Sequence, residues 1–447
     1  MTPMNDAKLS HLGETSRTVN PRVLIVTTDR WYSAARLAMA LTNAGCKVDA
    51  ICPPGHPVTK TSALHRMYPY SGLTPLKSLE HAIASADPDF IISGNDLATR
   101  QLHHLHNRRR SSGKAGRRLC ALIERSLGAP ESFPIVYARA AFMDLAQEEG
   151  IRVPLTTAIE SQEDLRKCAV QMGFPLVLKA NGSSGGEGTT VVRTLEEADR
   201  AFKKLHSPQR LVRAAKRALL DGDRTLVWPA LFRRRPVVNA QAYVAGREAT
   251  SITVCWQGKV LASLQFEVLK KRSETGPATV LRLIENREMS DAAEKIVRRL
   301  KLSGFQGLDF MVEAQTGNAY LIEINPRTTQ VGHLALGHGH DLPSALYAAL
   351  SGEEPQAPAK VTENDTIVLF PQEWLRDPAS AFLRSGYHDV PWEEPALIRE
   401  CIRRSQTQRK WYRKQNSTQP SPTIRQSAGP IAARLNDGAV EFDCKRE

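Results

Sequence analysis

Two short apolar runs around residue 316 constrain this chain more tightly than any other feature. Gly307-Leu308-Asp309-Phe310-Met311-Val312-Glu313 and Tyr320-Leu321-Ile322-Glu323-Ile324-Asn325-Pro326-Arg327 are β-prone, and Gln315-Thr316-Gly317-Asn318 between them is turn chemistry. The pattern predicts a β-hairpin. Folded symmetrically about Thr316, it sets Asp309 directly opposite Glu323, with Cβ atoms roughly 4.5–5.5 Å apart. Asn325, two residues further on, shares that face. Two carboxylates and an amide, with an arginine beyond, make a poor core. They suit magnesium ions bridging nucleotide phosphates, because magnesium takes hard oxygen ligands and completes its shell with water and phosphate. The competing reading leaves both carboxylates on the wet face of a half-exposed hairpin.

At 447 residues the chain has room for about two or three domains and a sizeable core. No apolar run approaches the roughly 18–20 residues that a membrane helix needs. The polar opening stretch, with Asp6 and Glu14, does not read as a secretory signal. The seven cysteines are scattered and never spaced as Cys-x-x-Cys. That argues for reduced thiols in a cytoplasmic protein, and against a structural zinc site or a disulfide framework. Net charge is +13, and much of the excess sits in 108–118 and 403–414. Such clusters suit nucleic-acid phosphates, solvated loops or the attraction of an anionic substrate. No recognisable nucleic-acid module accompanies them, so specific nucleic-acid binding is disfavoured.

Along the chain, residues 1–20 and those from 406 onward are polar and read as disordered tails. Strands over 22–28, 47–52 and 89–93 alternate with helices over 33–43 and 75–86, which predicts a small parallel α/β sheet. No Gly-x-Gly-x-x-Gly follows a strand, so a dinucleotide fingerprint is missing. Asn95 and Asp96 lie just past a strand's carboxyl end, where open α/β sheets bind ligands. A helix N-cap is the competing role. Residues 107–118 read as a basic loop, 119–127 and 138–149 as helices, 154–159 as a strand, and Ser161-Gln162-Glu163-Asp164 as a capped helix start. Strands over 237–244, 250–256 and 259–266 read as an antiparallel set joined by Ala245-Gly246-Arg247 and Gln257-Gly258. A helix over 290–302 leads into the hairpin, one over 342–350 closes this body, and 366–370 adds a last strand. The segments 371–374 and 387–392 fit no assigned element.

Between these elements a strand over 174–180 ends on Lys179 and runs into Asn181-Gly182-Ser183-Ser184-Gly185-Gly186-Glu187-Gly188, followed by another strand. Closely spaced glycines let the backbone turn freely and expose N–H groups to an anion. A lysine at the strand end supplies a point charge for phosphate. The loop lacks the Gly-x-x-x-x-Gly-Lys-Ser/Thr pattern, which excludes a P-loop. A surface turn is the plain alternative.

In this order the features resemble the ATP-grasp superfamily over residues 21–355. The resemblance implies a mixed α/β and α+β architecture: a Rossmann-like pre-ATP-grasp domain over 21–127, then a two-lobed ATP-grasp fold over 128–355. Its small lid lobe would span 155–225 and its large lobe 226–355, with a C-terminal extension over 356–405 and a basic tail over 406–447. The nearest branch resembles biotin carboxylase and the carbamoyl-phosphate synthetase large subunit. There a basic residue stands eleven positions before the glycine that precedes a Val-Pro-type strand, which makes Arg139, before Gly150, the first phosphate contact. Lys179 matches the second, to the α- and β-phosphates. Gly182, Ser183, Ser184, Gly185, Gly186 and Gly188 fall in the loop that closes over ATP. Val227, Trp228, Ala230 and Leu231 match the hinge whose backbone reads the adenine edge. Asp309, Glu323 and Asn325 match the ligands of magnesium or manganese, and Arg327 the cation that acts with Lys179 on the transferring phosphoryl group.

The resemblance further implies a ligase forming C–N bonds. ATP would phosphorylate a small carboxylate to an acylphosphate, which an amine then attacks; a homodimer is compatible with it. Carboxylation through carboxyphosphate and a non-catalytic nucleotide-binding regulator are the rivals. Biotin carboxylase continues into Gln-Val-Glu-His, whose glutamate acts in bicarbonate chemistry, but this chain has Gln330-Val331-Gly332-His333. Biotin carboxylation is therefore disfavoured. Carbamoyl-phosphate synthetase carries two ATP-grasp units and this chain one. The usual acidic hinge residue is replaced by Trp228-Pro229-Ala230, leaving Asn239 as a candidate ribose contact. His333, His338 and His340 read as a substrate-side loop or packed rings in preference to a metal cluster. Lys270, Lys271, Arg272 and Arg282 could greet a carboxylate or be exposed charge.

Overall fold

A computed structural model describes residues 20–182, 188–207, 235–337, 339–353 and 360–403. The first unit comprises β1 (Arg22–Val26), α1 (Ser33–Asn43), β2 (Lys47–Cys52), β3 (Arg66–Pro69), α2 (Pro75–Ala86), β4 (Phe90–Ser93), α3 (Asp96–Arg109) and α4 (Gly113–Leu127). Its sheet is parallel throughout, in the order β3-β2-β1-β4. Val23, Leu24, Ile25 and Val26 are all buried, as a parallel strand covered on both faces requires. The expected helices α1 and α2 have the bounds read from the sequence. The basic loop expected over 107–118 is instead the end of α3 and the first turns of α4. Ala98, Leu102 and Leu105 recur at helical spacing and are buried, and arginine and lysine are good helix formers, so the charge lines exposed helix surface. Asn95 takes the cap role, its Oδ1 accepting from the Ala98 N–H at 2.9 Å.

The second sheet follows α5 (Arg139–Glu148) and contains β5 (Thr156–Ile159), β6 (Leu176–Ala180), β7 (Thr189–Val192) and β8 (Val238–Ala242). It is antiparallel, in the order β5-β8-β6-β7. Helices α6 (Gln162–Met172) and α7 (Leu195–Leu205) pack on it through Leu165, Cys168, Ala198 and Phe202 against Leu176, Leu178 and Val238. The expected capped start at Ser161 is a full capping box with Asp164.

The third and largest sheet has seven strands: β9 (Gly246–Trp256), β10 (Lys259–Lys271), β11 (Ala278–Leu283), β12 (Gly304–Glu313), β13 (Ala319–Asn325), β14 (Thr366–Leu369) and β15 (Tyr387–Asp389). Their order is β13-β12-β9-β10-β11-β14-β15. Helix α8 (Arg287–Arg299) precedes the hairpin and α9 (Leu342–Ser351) follows it. One pairing differs from the expectation. β8 does not form a hairpin with β9; it pairs with β5 and β6, and residues 243–245 carry the chain into the other sheet. A period-two pattern identifies a strand and its buried face but not its partner. The unassigned segment at 387–389 adds a parallel edge strand beside β14.

The first unit and the large sheet share one apolar cluster, in which Val23, Ile25 and Leu37 join Ile252, Leu264 and Phe305. An isolated bridge between Gly128 and Leu302 and a bond from Thr328 N–H to the Ser93 carbonyl at 3.1 Å bring the two backbones together. The carboxyl end of β4 therefore abuts the exit of β13. Six cysteines are described; all are buried and free, and burial pushes the Cys46 and Cys52 thiols up to about 12. Among the described residues no helix is long and apolar enough to cross a membrane.

Candidate active site

The hairpin register places Asp309 opposite Glu323 and Gly307 opposite Asn325, as the symmetric fold about Thr316 requires. Beyond that point it shifts: Phe310 faces Leu321, so Ile322 has no opposite number. The Ile322 carbonyl accepts from Lys179 Nζ at 3.2 Å, and Gln241 Nε2 approaches it at 3.5 Å. The irregularity thus docks the lysine of the second sheet onto the hairpin of the third. Arg139, at the start of α5, reaches Glu323 Oε1 at 2.8 Å.

Around the carboxylates the contacts form a chain. Thr250 Oγ1 donates to Asp309 Oδ1 at 2.9 Å, and Asn325 Nδ2 donates to Asp309 Oδ2 at 2.8 Å. Arg327 Nη2 donates to Asn325 Oδ1 at 3.1 Å, and its Nε lies 3.1 Å from Asp96 Oδ2 at the head of α3. Burial and the neighbouring Glu323 push the Asp309 carboxyl up to about 6. Burial opposes the charge of Glu323 too, but Arg139, Lys179 and Arg327 hold it below the ordinary value. Burial depresses the Lys179 ammonium to about 8, against the pull of Glu323. Two facing carboxylates and an amide oxygen on one strand-pair face, one acid destabilised in its charged form, fit a hard divalent cation. Among the described residues no three of His, Cys, Asp and Glu gather into a metal cluster. That is compatible with magnesium, which leaves much of its shell to water and phosphate.

The structure therefore brings together Arg139, Lys179, Asp309, Glu323, Asn325 and Arg327. Gly182 begins the glycine loop with φ +77°, and the Gly188 carbonyl accepts from Ala180 N–H at 2.8 Å. Ser183, Ser184, Gly185, Gly186, Val227, Trp228, Ala230 and Leu231 lie outside the described residues, as does His338. Asn239 spends its amide hydrogens on the Lys179 carbonyl at 3.2 Å and Asn181 Oδ1 at 2.9 Å, bracing the base of the loop. His333 is buried with Nε2 2.8 Å from Asp389 Oδ2, and His340 Nδ1 lies 2.7 Å from the Ser263 carbonyl, so both are packed rings. Lys271 pairs with Glu248. Sequence reasoning missed Thr250 and the grip of Asp96 on Arg327, although Asp96 stood out as a strand-end residue.

Residues 138–337, which contain all six assembled side chains, match the family described as carbamoyl-phosphate synthase L chain, ATP binding domain. The carbamoyl phosphate synthase large chain of Pyrococcus furiosus is 21% identical over 210 residues, covering 47% of this chain and 18% of that protein. An ADP complex of N5-carboxyaminoimidazole ribonucleotide synthetase superimposes with a TM-score of 0.53 at 17% identity, over 76% of this chain and 80% of its own. The biotin carboxylase domain dimer of Hydrogenobacter thermophilus 2-oxoglutarate carboxylase, with MgADP and bicarbonate, gives 0.53 at 15% identity, over 77% and 72%. The fold is that of the ATP-grasp superfamily. Within it, residues 138–337 are similar to the ATP-binding domain of carbamoyl-phosphate synthase large chains, and the chain spans less than a fifth of the Pyrococcus protein's length.

Proposed function

We propose that this protein is an ATP-dependent ligase that activates a small carboxylate as an acylphosphate for attack by an amine. The observation that carries it is the Asp309–Glu323 pair ringed by Arg139, Lys179 and Arg327. Bound magnesium would neutralise the phosphate oxygens and draw charge from the leaving ADP. Asp309, Glu323 and Asn325 would hold it. Lys179 and Arg139 would bind the nucleotide phosphates, and Arg327, oriented by Asp96, would face the transferring phosphoryl group. The loop opening at Gly182 would exclude water, and 227–231 would receive the adenine. The acceptor oxygen takes the γ-phosphoryl group as ADP departs. An amine then bonds to the acyl carbon, the C–O bond to the phosphate breaks, and phosphate leaves with the proton that the nitrogen gives up. The parallel first unit would serve as the pre-ATP-grasp domain, and the dimeric carboxylase neighbour makes a homodimer a reasonable assembly.

A second reading, carboxyphosphate chemistry, takes support from the carboxylase and carbamoyl-phosphate synthase relatives. The packing of Gly332 counts against the biotin carboxylase form of it. A Cβ added there would lie 2.7 Å from Thr328 Oγ1 and 3.0 Å from Ile252 Cδ1, so no glutamate fits without rearrangement. The deciding experiment is ADP release with magnesium and ATP, screened against pooled carboxylates, amines and bicarbonate, with Glu323→Ala alongside. Turnover requiring one carboxylate and one amine, lost in the variant, is expected. Bicarbonate-dependent turnover would favour the second reading. Tight MgATP binding without turnover would favour a regulator, and no ATP binding would overturn the assignment.

A further inference from the structure

Helix α3 carries Asp96 and Arg100 one turn apart, so both side chains leave the same helix face. Asp96 is committed to Arg327. Arg100 pairs with no carboxylate among the described residues, and its Nε is buried without a hydrogen-bond partner. Its guanidinium carbon lies 4.8 Å from the centre of the Tyr137 ring, two residues before Arg139. It also lies against Gly182. A Cβ added to Gly182 would stand 2.5 Å from Arg100 Nη1 and 2.6 Å from Nη2. Arginine cannot shed its charge to relieve such a position. The first unit thus sets a permanent cation, without a carboxylate partner among the described residues, between Tyr137 and the residue that opens the loop after Lys179.

The remaining cations of the site have partners: Arg139 sits on Glu323, Arg327 on Asp96, and Lys179 on the Ile322 carbonyl. In the ligase reading, on which this inference rests, those three serve the nucleotide phosphates, and of the cations first read as carboxylate contacts Lys271 is paired with Glu248. We propose that Arg100 anchors the acceptor carboxylate, so that the acceptor is an anion docked on the Arg100 guanidinium beside Tyr137 and Gly182. A guanidinium fork matches a planar carboxylate through two parallel N–H···O bonds, and the face of Tyr137 holds the plane of the fork.

The test titrates acetate, inorganic phosphate and MgATP separately into the full-length protein and its Arg100→Gln and Arg100→Lys variants, by calorimetry. Acetate affinity is expected to fall about tenfold or more in Arg100→Gln, by more than phosphate or MgATP affinity falls. Arg100→Lys, which keeps the charge without the fork, should lie between. In the unmutated protein acetate should shield Arg100 from phenylglyoxal, read by peptide mass spectrometry, a measurement that needs no variant to fold. Unchanged acetate affinity, no shielding, or an equal loss for phosphate and MgATP overturns the proposal; the last would make Arg100 a nucleotide contact. Failure of the ligase reading shows separately, as absent MgATP binding by the wild type whatever the acetate arms report.

Discussion

The carboxylate hairpin and the clasp at β15 are both buried knots of opposite charge, and they are wired differently. At the clasp, Asp389 lies against His333 and pairs with Arg36 of α1. Nearby, Glu373 accepts from Thr279 Oγ1 at 2.7 Å, Ser380 Oγ at 2.5 Å and Arg376 Nε at 2.6 Å. Burial opposes both carboxylates, yet their donors outweigh it and hold both below the ordinary range. At the hairpin Asp309 faces another carboxylate and is pushed up to about 6, while Lys179 is driven down to about 8. The clasp closes on itself and ties the carboxyl-terminal strands to the first unit. At the hairpin Arg139 pairs with Glu323, whereas among the described residues Asp309 is held only by the neutral Thr250 and Asn325, the place that a bound cation would fill. A buried ionic cluster points to function when its charges remain unresolved, whereas mere burial of charge does not.

Breaking the hairpin should cost activity before stability. Glu323→Gln keeps an oxygen for Arg139 but removes the charge; magnesium-dependent ADP release should fall about 10²–10³-fold while thermal unfolding stays cooperative. The clasp should behave in the opposite way. Asp389→Ala leaves His333 and Arg36 facing a gap and should lower the unfolding free energy by about 3 kcal/mol in urea titrations, with MgATP affinity of the folded protein little changed. A smaller effect is expected where the two regions meet the question of carboxylation. Gly332→Glu should overpack Thr328 and Ile252, costing about 2 kcal/mol, and should confer no bicarbonate-stimulated ADP release.

The smallest effect is one of pH. Asp389 and Glu373 are depressed in the folded state, so their stabilisation is complete above the unfolded carboxylate values of about 4. It is lost as pH falls through the lower folded values. Urea midpoints followed down through the acid range should drop, and Asp389→Asn should flatten that drop.

Much of this was legible locally. The bounds of α1, β2 and α2 follow from apolar periodicity and flanking breakers, and the pairing of Asp309 with Glu323 follows from the turn at 315–318. Lys179 was recognisable because a strand ending on lysine before a glycine run is a local pattern. The unpaired Ile322, whose carbonyl receives that lysine, left no mark in the residue order, because hairpin symmetry gives no cause for a register shift. The strand read over 366–370 stands as β14, but the three-residue β15 is too short for periodicity to declare and exists only because β14 offers an edge. Arg36 stands 297 residues before His333, and Asp389 another 56 beyond it, so nothing local connects them.

By itself the sequence determined most of the longer strands and helices, the hairpin with its facing acids, and the lysine before the glycine loop, since each rests on spacing within one or two elements. Tertiary structure alone decided that β8 leaves its neighbours for the second sheet, that Asp96 grips Arg327, and that Arg100 lies against Gly182. Those contacts depend on which surfaces meet when separate sheets pack into one core, and burial across distant segments is a property of the whole chain.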